Sequence, residues 1–248
     1  MELDDITTMR YCRQILLPSV SEDGQEKLMN SHALVVGAGG LGCAVLPYLA
    51  AAGIGKISVF DADHVELTNL QRQILHSEDD IGRLKVDSAT DTLRQLNHYC
   101  EMVSYAHAFE EADQALIDDV DVVIDCSDNL PTRLLLNRLC WQKRTALISG
   151  SAIRMEGQLI HFAMEDDQPC YACMASLFGE QQLTCMESGV LSPVVGTIGT
   201  LQATEALKQL IGIAPAAPKL MLYDGLNLSF NEFKLVKQPG CPVCSQLR

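Results

Sequence analysis

Four cysteines stand in two pairs, with two residues between the members of each pair. Cys170 and Cys173 belong to the stretch CYAC, and Cys241 and Cys244 belong to the stretch CPVC. Thiols at this spacing support dithiol redox exchange, disulfide formation or metal binding. Two such pairs supply four thiolates, the ligand number of a closed, tetrahedral structural zinc site. We therefore expect a structural Zn²⁺ at these four residues, with redox or cluster roles as the alternatives.

The redox alternative requires a particular structural setting. A thioredoxin-like pair lies at the start of a helix beside a βαβ unit, and we expect neither pair in such a position. The chain starts with the acidic stretch MELDDITTMR, has ten cysteines and shows neither a secretory signal nor a long apolar run. These features predict a cytoplasmic protein with reduced thiols, in which metal binding is favoured over disulfides.

Charge and composition argue against several kinds of partner and metal site. The formal net charge of -14 repels nucleic acid and anionic lipid, so we expect neither nucleic acid nor a membrane as a partner. The six histidines show no ligand spacing. Five further cysteines lie in apolar or helical stretches, and we expect most of them in the core. They are Cys12, Cys43, Cys100, Cys126 and Cys140.

A glycine-rich loop provides a second chemical signal. Gly37, Gly39 and Gly42 form GxGxxG between the predicted strand HALVV and the helix that follows, and Asp61 ends the next predicted strand. Glycines let the backbone approach phosphates, the helix N-terminus presents free N–H groups, and an acid at this position accepts ribose hydroxyls. The pattern predicts a nucleotide site, and a tight turn that binds nothing is the alternative.

Cations and amides follow the second predicted strand. Asn69, Arg72 and Gln73 lie in the stretch NLQRQ, and Lys85 follows shortly after. Open α/β sheets bind ligands at the carboxyl ends of their strands, and a triphosphate needs cations because charge builds on its oxygens during transfer. An NAD-dependent oxidoreductase, which the glycine loop and Asp61 also permit, leaves these cations unexplained.

Two carboxylates, Asp125 and Asp128, stand at the end of another predicted strand, in the stretch VVIDCSDN. A carboxylate at Asp128 suits Mg²⁺, which prefers hard oxygen ligands. The alternative for Asp128 is an N-cap of the helix that begins near NLPTRLLLN. We expect Asp125 to make structural hydrogen bonds at the strand end.

The elements that position these residues are predicted to form one domain. Alternating strand and helix patterns over residues 31–150 predict a Rossmann-like, doubly wound, mainly parallel sheet, preceded by an N-terminal helical arm over residues 1–30. Residues 151–248 contain the strand patterns GQLIHFAM, KLMLYDG and LSFNEFKLVK, which predict an antiparallel extension. Pro47 falls inside the first helix of the sheet region, where it should kink or weaken the helix.

Together, the motifs GxGGLG, NLQRQ, DCSDN and the paired CxxC resemble the MoeB/ThiF family, the bacterial relatives of ubiquitin-activating enzymes, over nearly the whole chain. The stretches SGSAIRMEGQ and GTLQATEALKQLIG look most like the molybdopterin-synthase branch, with the thiamine-pathway branch as the alternative. The resemblance implies ATP-dependent adenylylation of the C-terminal glycine of a small ubiquitin-like sulfur carrier ending in Gly-Gly. The products are an acyl adenylate and pyrophosphate, for molybdenum cofactor biosynthesis, and residues 151–248 would bear the carrier-binding surface.

The resemblance also implies roles for individual residues. Gly40 and the neighbouring glycines would cradle ATP, Asp61 would hold the ribose, and Asp128 would bind Mg²⁺. Further nucleotide contacts are expected from Asn69, Arg72, Gln73, Lys85 and Asn129. The residues expected to act in catalysis are Arg13, Arg72, Lys85 and Asp128.

Two more residues gain roles from the resemblance alone. The stretch RYCRQ resembles a family element whose second arginine, here Arg13, reaches the phosphates of the neighbouring subunit, which implies a homodimer. By itself, an arginine on an amphipathic helix is expected to be solvated. Cys185 occupies a position where some relatives carry a cysteine that bonds covalently to the carrier, with a non-catalytic thiol as the alternative. A non-catalytic interaction module is the last competing function, and the set Arg72, Lys85 and Asp128 disfavours it.

Overall fold

The computed structural model describes residues 2–178, 189–213 and 215–245. The helices are α1 (Asp5–Ile15), α2 (Ser21–Met29), α3 (Gly40–Ala52), α4 (Lys85–Leu96), α5 (Leu130–Lys143), α6 (Tyr171–Phe178) and α7 (Ser192–Ile211). The strands are β1 (His32–Val36), β2 (Lys56–Phe60), β3 (Glu101–Tyr105), β4 (Val122–Asp125), β5 (Ala146–Ile153), β6 (Glu156–Phe162), β7 (Lys219–Asp224) and β8 (Ser229–Lys234). The segment Glu111–Asp119 forms a 3-10 helix.

These strands form one mixed sheet in the order β3-β2-β1-β4-β5-β6-β7-β8. Strands β3, β2, β1, β4 and β5 pair in parallel, and β6, β7 and β8 add antiparallel pairs at one side. The predicted fold class, a mainly parallel doubly wound sheet with an antiparallel extension, is confirmed. Because β1 lies between β2 and β4, the loops after β1, β2 and β4 meet at one edge of the sheet.

Side chains of the buried strands alternate between two cores. In β1, Ala33 and Val35 join the core formed with α3, α4 and α7, whereas Leu34 and Val36 join the core formed with α5 and α6. Burying each large aliphatic side chain stabilises the fold by about 1.5–3 kcal/mol. The strand period of two therefore produces the helix layers on both faces.

Helix α3 carries the glycine loop and packs closely on α7. A Cβ added at Gly199 of α7 would lie 2.7 Å from both the Cβ of Ala44 and the carbonyl oxygen of Leu41. The helix runs unbroken through Pro47 and ends at Gly53, whose φ of 91° is left-handed. This close packing fixes α3, and with it the position of the loop at its N-terminus.

The N-terminal arm lies at the opposite end of α3. Helix α1 begins at a capping box between Asp4 and Thr7. The side chain of Gln14 donates to the carbonyl oxygen of Ala52 at 3.0 Å, at the last residue of α3. The arm is thereby held at the edge of the sheet away from the glycine loop.

Among the described residues, no helix has both the length and the apolar character that crossing a membrane requires.

Candidate functional site

The glycines of the loop between β1 and α3 serve different purposes. Gly37 has a φ of 106°, and a Cβ there would lie 2.7 Å from the carbonyl oxygen of Cys126 in the neighbouring strand connection. A Cβ at Gly42 would overlap the carbonyl oxygen of Gly37. At Gly39 the nearest atom to an added Cβ is Nε2 of Gln73, 3.7 Å away. Gly37 and Gly42 are thus required by the fold, whereas Gly39 leaves open space at the N-terminus of α3.

Asp61 lies directly beside this loop. Its Oδ2 accepts a hydrogen bond from the N–H of Ala38 at 2.7 Å, and its Oδ1 accepts one from the N–H of Asp63 at 2.9 Å. Burial raises the pKa of the Asp61 carboxyl above its usual value. The predicted acid at the end of β2 is therefore in contact with the glycine loop.

Arg72 and Gln73 approach the loop from the segment after β2. Cγ of Arg72 would lie 3.5 Å from a Cβ at Gly40, which begins α3 and also faces Val195 of α7. The guanidinium of Arg72 donates to the carbonyl oxygen of Thr68 at 3.2 Å. The structure therefore brings Arg72 and Gln73 to the glycines, as a phosphate site requires.

Gln73 also has an orphaned polar atom. Its side chain is buried, and Oε1 has no hydrogen-bond partner among the described residues. Leaving a buried acceptor unpaired costs about 1–3 kcal/mol. Nε2 of the same side chain, rather than Oε1, is the atom that lies nearest to the open space at Gly39.

Lys85 and Asn69 are both buried, and both lie in the stretch from the end of β2 to the first turn of α4. Lys85 is the first residue of α4, and its Nζ contacts Oδ2 of Asp63 at 2.8 Å. The amide oxygen of Asn69 accepts from the N–H of Glu66 at 3.1 Å, which fixes the turn that precedes Arg72. Lys85 is therefore a cation held near Asp61, with an exposed carboxylate as its partner.

Asp128 is exposed in the turn after β4. The N-cap of α5 is Asn129, whose side chain accepts from the N–H of Thr132 at 3.0 Å. The capping alternative for Asp128 is therefore wrong. Asp125 is fully buried and accepts from the hydroxyls of Ser127 and Ser149, both at 2.6 Å, so its expected structural role is confirmed.

The four paired cysteines form one buried cluster. Sγ of Cys170 lies 3.7 Å from Sγ of Cys241, and Sγ of Cys173 lies 3.3 Å from Sγ of Cys244. All four sulfurs lie within 4.8 Å of one another. Bonds of about 2.3 Å from a tetrahedral ion place sulfurs about 3.8 Å apart, so the cluster fits a four-thiolate metal site.

Without a metal ion, the thiols of this cluster differ, because burial raises the pKa of Cys170 and of Cys244, whereas the pKa of Cys241 is lowered. Burial raises the pKa of Cys241, but the N–H groups of Cys244 and Val243 outweigh it, and the net pKa lies below the usual value. The side chain of Asn137 donates to Sγ of Cys170 at 3.5 Å. Such outer donors are typical of metal-binding sulfurs.

One part of the expectation about these cysteines is wrong, because one pair stands at a helix start, although β6 and β7 on either side of α6 in the chain pair antiparallel and form no βαβ unit. Cys170 directly precedes α6, and Cys173 lies in its first turn, so this pair does stand at a helix start. Its sulfurs meet those of Cys241 and Cys244, however, and a two-cysteine redox site has no such second pair. The cluster geometry, rather than the position relative to a helix, favours metal binding.

Comparisons with known proteins agree with this geometry. The sequence matches the ThiF family over residues 11–243. The chain belongs to the ThiF family. The molybdopterin-synthase adenylyltransferase of Escherichia coli (strain K12) is 47% identical over 247 residues, covering 99% of each chain. The sulfur carrier protein ThiS adenylyltransferase of the same strain is 42% identical, covering 98% of this chain and 97% of the relative.

The fold of this ThiF-family chain is shared with more distant solved structures. A crystal structure of E. coli MccB with MccA-N7isoASN superposes with a TM-score of 0.84 at 22% identity, covering 97% of this chain and 75% of that chain. At this level of identity the likeness shows the fold alone.

Arg13 does not join the nucleotide site of its own ThiF-family chain. It is exposed on α1, next to Gln14, which is bonded to the last residue of α3. The 13 residues of α3 span about 18 Å at about 1.5 Å per residue, which exceeds the reach of an arginine side chain. Cys185 lies outside the described residues.

Two polar residues that support the site could not be predicted from the sequence. Arg133 of α5 is buried and donates to the carbonyl oxygens of Ser127 at 2.7 Å and Gly150 at 3.2 Å. His76 is buried against the glycine loop. An arginine inside a helical pattern and a lone histidine carry no local signal for such contacts.

The other cysteines behave mostly as expected. Cys43, Cys100, Cys126 and Cys140 are buried, whereas Cys12 is exposed. Burial raises the pKa of Cys43 and of Cys100 to about 12. Thiols in this state are poor nucleophiles, so the described part of the chain gives these four cysteines a packing role.

Proposed function

We propose that this chain uses ATP to adenylylate the C-terminal glycine carboxylate of a small ubiquitin-like sulfur carrier that ends in Gly-Gly. The observation that carries this proposal is the meeting of four features at one sheet edge. These are the open space at Gly39, the carboxylate of Asp61, the cations Arg72 and Lys85, and the exposed Asp128. Relatives named as adenylyltransferases at 47% and 42% identity support it.

The nucleotide would lie across the glycine loop. The N–H groups at the N-terminus of α3 suit phosphate oxygens, and Asp61 keeps lone pairs for ribose hydroxyls beyond its two backbone bonds. The Nε2 group of Gln73, which lies nearest to the open space at Gly39, would donate a hydrogen bond to the nucleotide. Asn69 and Asn129 would contribute through their amide NH₂ groups, because their oxygens already accept backbone N–H bonds.

The reaction needs alignment and charge neutralisation rather than a nucleophile of the enzyme. A carboxylate oxygen of the carrier forms a bond to the α-phosphorus, and the bond from that phosphorus to the bridging oxygen of the β-phosphate breaks. The electron pair leaves with pyrophosphate. Arg72 and Lys85 would stabilise the charge on the phosphate oxygens, with Lys85 exchanging its contact with Asp63 for the phosphates.

Asp128 would hold Mg²⁺, whose charge neutralises phosphate oxygens when it is bound. The carboxylate is exposed, lies in the connection beside the glycine loop and is not used as a helix cap. These properties leave the carboxylate of Asp128 accessible to a metal ion.

We propose that the working enzyme is a homodimer in which Arg13 reaches the phosphates of the partner subunit. Arg13 lies near the C-terminal end of α3, whereas the glycine loop lies at the N-terminal end, so Arg13 cannot reach the glycine loop of its own chain. Around it, Ile6, Met9 and Leu16 are 61%, 73% and 71% exposed. Apolar side chains with this exposure suit coverage by a second subunit.

The cysteine cluster would hold a structural Zn²⁺ that joins the start of α6 to the C-terminal segment. Metal analysis of purified protein should give about one zinc per chain, and Cys241→Ser should lose it. Zinc retained in that variant would contradict the assignment. Cys185 is the candidate for a covalent step, in which its thiolate would attack the carbonyl carbon of the acyl adenylate and form a thioester as AMP leaves.

Pyrophosphate exchange tests the function and its pathway. With ATP, Mg²⁺ and the small subunit of molybdopterin synthase, labelled pyrophosphate should enter ATP. The small subunit is the expected carrier, for molybdenum cofactor biosynthesis, and the ThiS carrier of the thiamine pathway is the second candidate because of the 42% identical relative. Exchange only with ThiS would overturn the pathway, and exchange with neither carrier would overturn the function.

Asp128→Asn should abolish this exchange, because the amide lacks the charge that binds the metal ion. Asp167→Asn is the matched control, since Asp167 is also exposed in a turn. Exchange retained in Asp128→Asn at the wild-type rate would contradict the role of Asp128.

A further inference from the structure

His76 makes a buried contact with the glycine loop. Its ring is 7% exposed, with Nε2 3.1 Å from the carbonyl oxygen of Ala38 and Nδ1 2.8 Å from Oγ of Ser88. A carbonyl oxygen only accepts, so the hydrogen-bond network assigns the ring hydrogen to Nε2. Nδ1 then accepts from the Ser88 hydroxyl, and both sides of the ring are fixed.

The contact determines the direction of a backbone donor. The carbonyl group of Ala38 and the N–H of Gly39 belong to one planar trans peptide, so they point in opposite directions. Holding the carbonyl toward His76 therefore turns the Gly39 N–H away from the ring, toward the open space before α3. No described residue accepts a hydrogen bond from this N–H.

The same peptide segment is held from its other side. The N–H of Ala38 donates to Oδ2 of Asp61 at 2.7 Å, and Sγ of Cys43 lies 3.4 Å from the Ala38 carbonyl oxygen. The Ala38 carbonyl oxygen thus has two neighbouring donors, the ring nitrogen of His76 and the thiol of Cys43. A thiol is a weaker hydrogen-bond donor than a ring N–H. His76 is thus the main support of the Ala38 carbonyl.

We propose that His76 is a positioning residue that orients the Gly39 N–H toward a phosphate oxygen of the nucleotide. The proposal rests on the function proposed above, and it assigns His76 no contact with the nucleotide. Helix α4 links this role to that of Lys85, because Lys85 and Ser88 lie three residues apart on one face of the helix. One helix would then set both a cation and the direction of a backbone donor.

The first test uses the protein without nucleotide. His76→Phe keeps a ring but removes both hydrogen bonds, and His76→Gln keeps a donor near the position of Nε2. His161→Phe is the matched control, because His161 is also buried and its ring nitrogens lie 3.1 Å from Glu205 and 3.0 Å from Gln209. Amide hydrogen exchange at Ala38, measured by NMR, should be about tenfold faster in His76→Phe. It should be close to wild type in His76→Gln and His161→Phe.

The second test measures the KM for ATP in carrier-dependent pyrophosphate exchange. His76→Phe should raise the KM about tenfold, the loss of roughly one hydrogen bond to phosphate, and His76→Gln should restore most of it. Unchanged exchange at Ala38 in His76→Phe, or equal acceleration in His161→Phe, would overturn the proposal. If wild type fails to exchange pyrophosphate, the proposed function fails, and exchange at Ala38 still decides whether His76 orients the loop.

Ser88→Ala provides a variant for the case in which His76→Phe does not fold. It removes the hydroxyl that fixes the ring and leaves the ring in place, so Ala38 exchange and the KM for ATP should both rise about threefold. A Ser88→Ala protein that matches wild type in both measurements would contradict the proposal.

Discussion

At the scale of single residues, the glycines of the loop have two different roles, one in folding and one in ligand binding. Gly39 has no neighbour within 3.7 Å of an added Cβ, whereas Gly42 faces the carbonyl of Gly37. The difference follows from their positions, because Gly42 is inside the first turn of α3 and Gly39 precedes it. Two glycines of one motif are thus present for different physical reasons.

Gly39→Ala should leave stability within about 0.5 kcal/mol of wild type and weaken ATP binding at least about tenfold, since the methyl group fills the space for phosphate. Gly42→Ala should destabilise the fold by about 2 kcal/mol or more, through overlap with backbone. Urea unfolding and calorimetric titration with ATP measure the two effects. Equal loss of stability in both variants would contradict this division.

Two histidines, the buried His76 and the half-buried His32, predict how stability depends on pH. Burial lowers the pKa of His32 and of His76 from the ordinary value of 6.5. Between the lowered value and 6.5, the unfolded chain therefore binds protons that the folded chain does not. Their contribution to stability is present above 6.5 and is lost as the pH falls through the lowered pKa.

We expect the urea midpoint to fall between about pH 7 and about pH 5, and to fall less in a variant that combines His32→Asn with His76→Gln. Carboxylates with lowered pKa, such as Asp80 and Glu205, lose their contributions at more acidic pH and do not produce this change. A midpoint that stays constant across this window in wild type would contradict the assignment.

At the scale of elements, α5 supports the turn that bears Asp128. Its residue Arg133 donates to the carbonyl oxygens of Ser127 and Gly150, and its Nε lies 3.9 Å from Oδ2 of Asp125. The helix thus joins the turn after β4 to Gly150 within β5. The contact depends on α5 beginning at Leu130, directly after its cap Asn129.

Arg133→Met should lower the free energy of unfolding by about 3 kcal/mol, because it leaves Asp125 buried without its nearby cation. It should also raise the Mg²⁺ concentration needed for half-maximal pyrophosphate exchange. Arg138→Met on the same helix is the control, since Arg138 forms a surface ion pair with Glu111 that is worth less than about 1 kcal/mol. Similar losses in the two variants would exclude the role given to Arg133.

Much of the element order follows from the sequence because local patterns determine it. The β-branched runs of β1, β2 and β4, the glycines after β1 and the carboxylates at strand ends all have fixed spacings. The contacts of His76 with Ala38 and of Arg133 with Gly150 could not be predicted, because they join residues that belong to different elements and lie far apart in sequence. Ala38 and His76 are 38 positions apart, and no local period encodes such a pair.

The helix cap at Asn129 is a second feature that could not be predicted from the sequence. Asp128 and Asn129 are both good capping residues, and the sequence does not say which one takes the cap. The choice depends on where β4 ends and on the tilt of α5, which are properties of the packed structure. That choice leaves Asp128 exposed, and so it bears directly on the proposed metal site.

At the scale of the whole molecule, the proposed mechanism requires two subunits. Each chain would supply Arg13 to its partner and Asp128 to its own site, so a mixed dimer of Arg13→Ala and Asp128→Ala subunits contains one intact site. Mixing the two inactive variants should recover up to about a quarter of wild-type pyrophosphate exchange, if subunits redistribute at random. Recovery absent despite confirmed subunit mixing would contradict action across the interface.

The most direct test of the central claim is the intact mass of the carrier after incubation with this enzyme, ATP and Mg²⁺. We expect a carrier that ends in Gly-Gly to gain one adenylyl group, and to gain none when its terminal glycine is deleted. Asp128→Asn enzyme should produce no adduct. A carrier of either pathway that keeps its original mass, with ATP unconsumed and enzyme confirmed as folded and metal-loaded, would contradict the account.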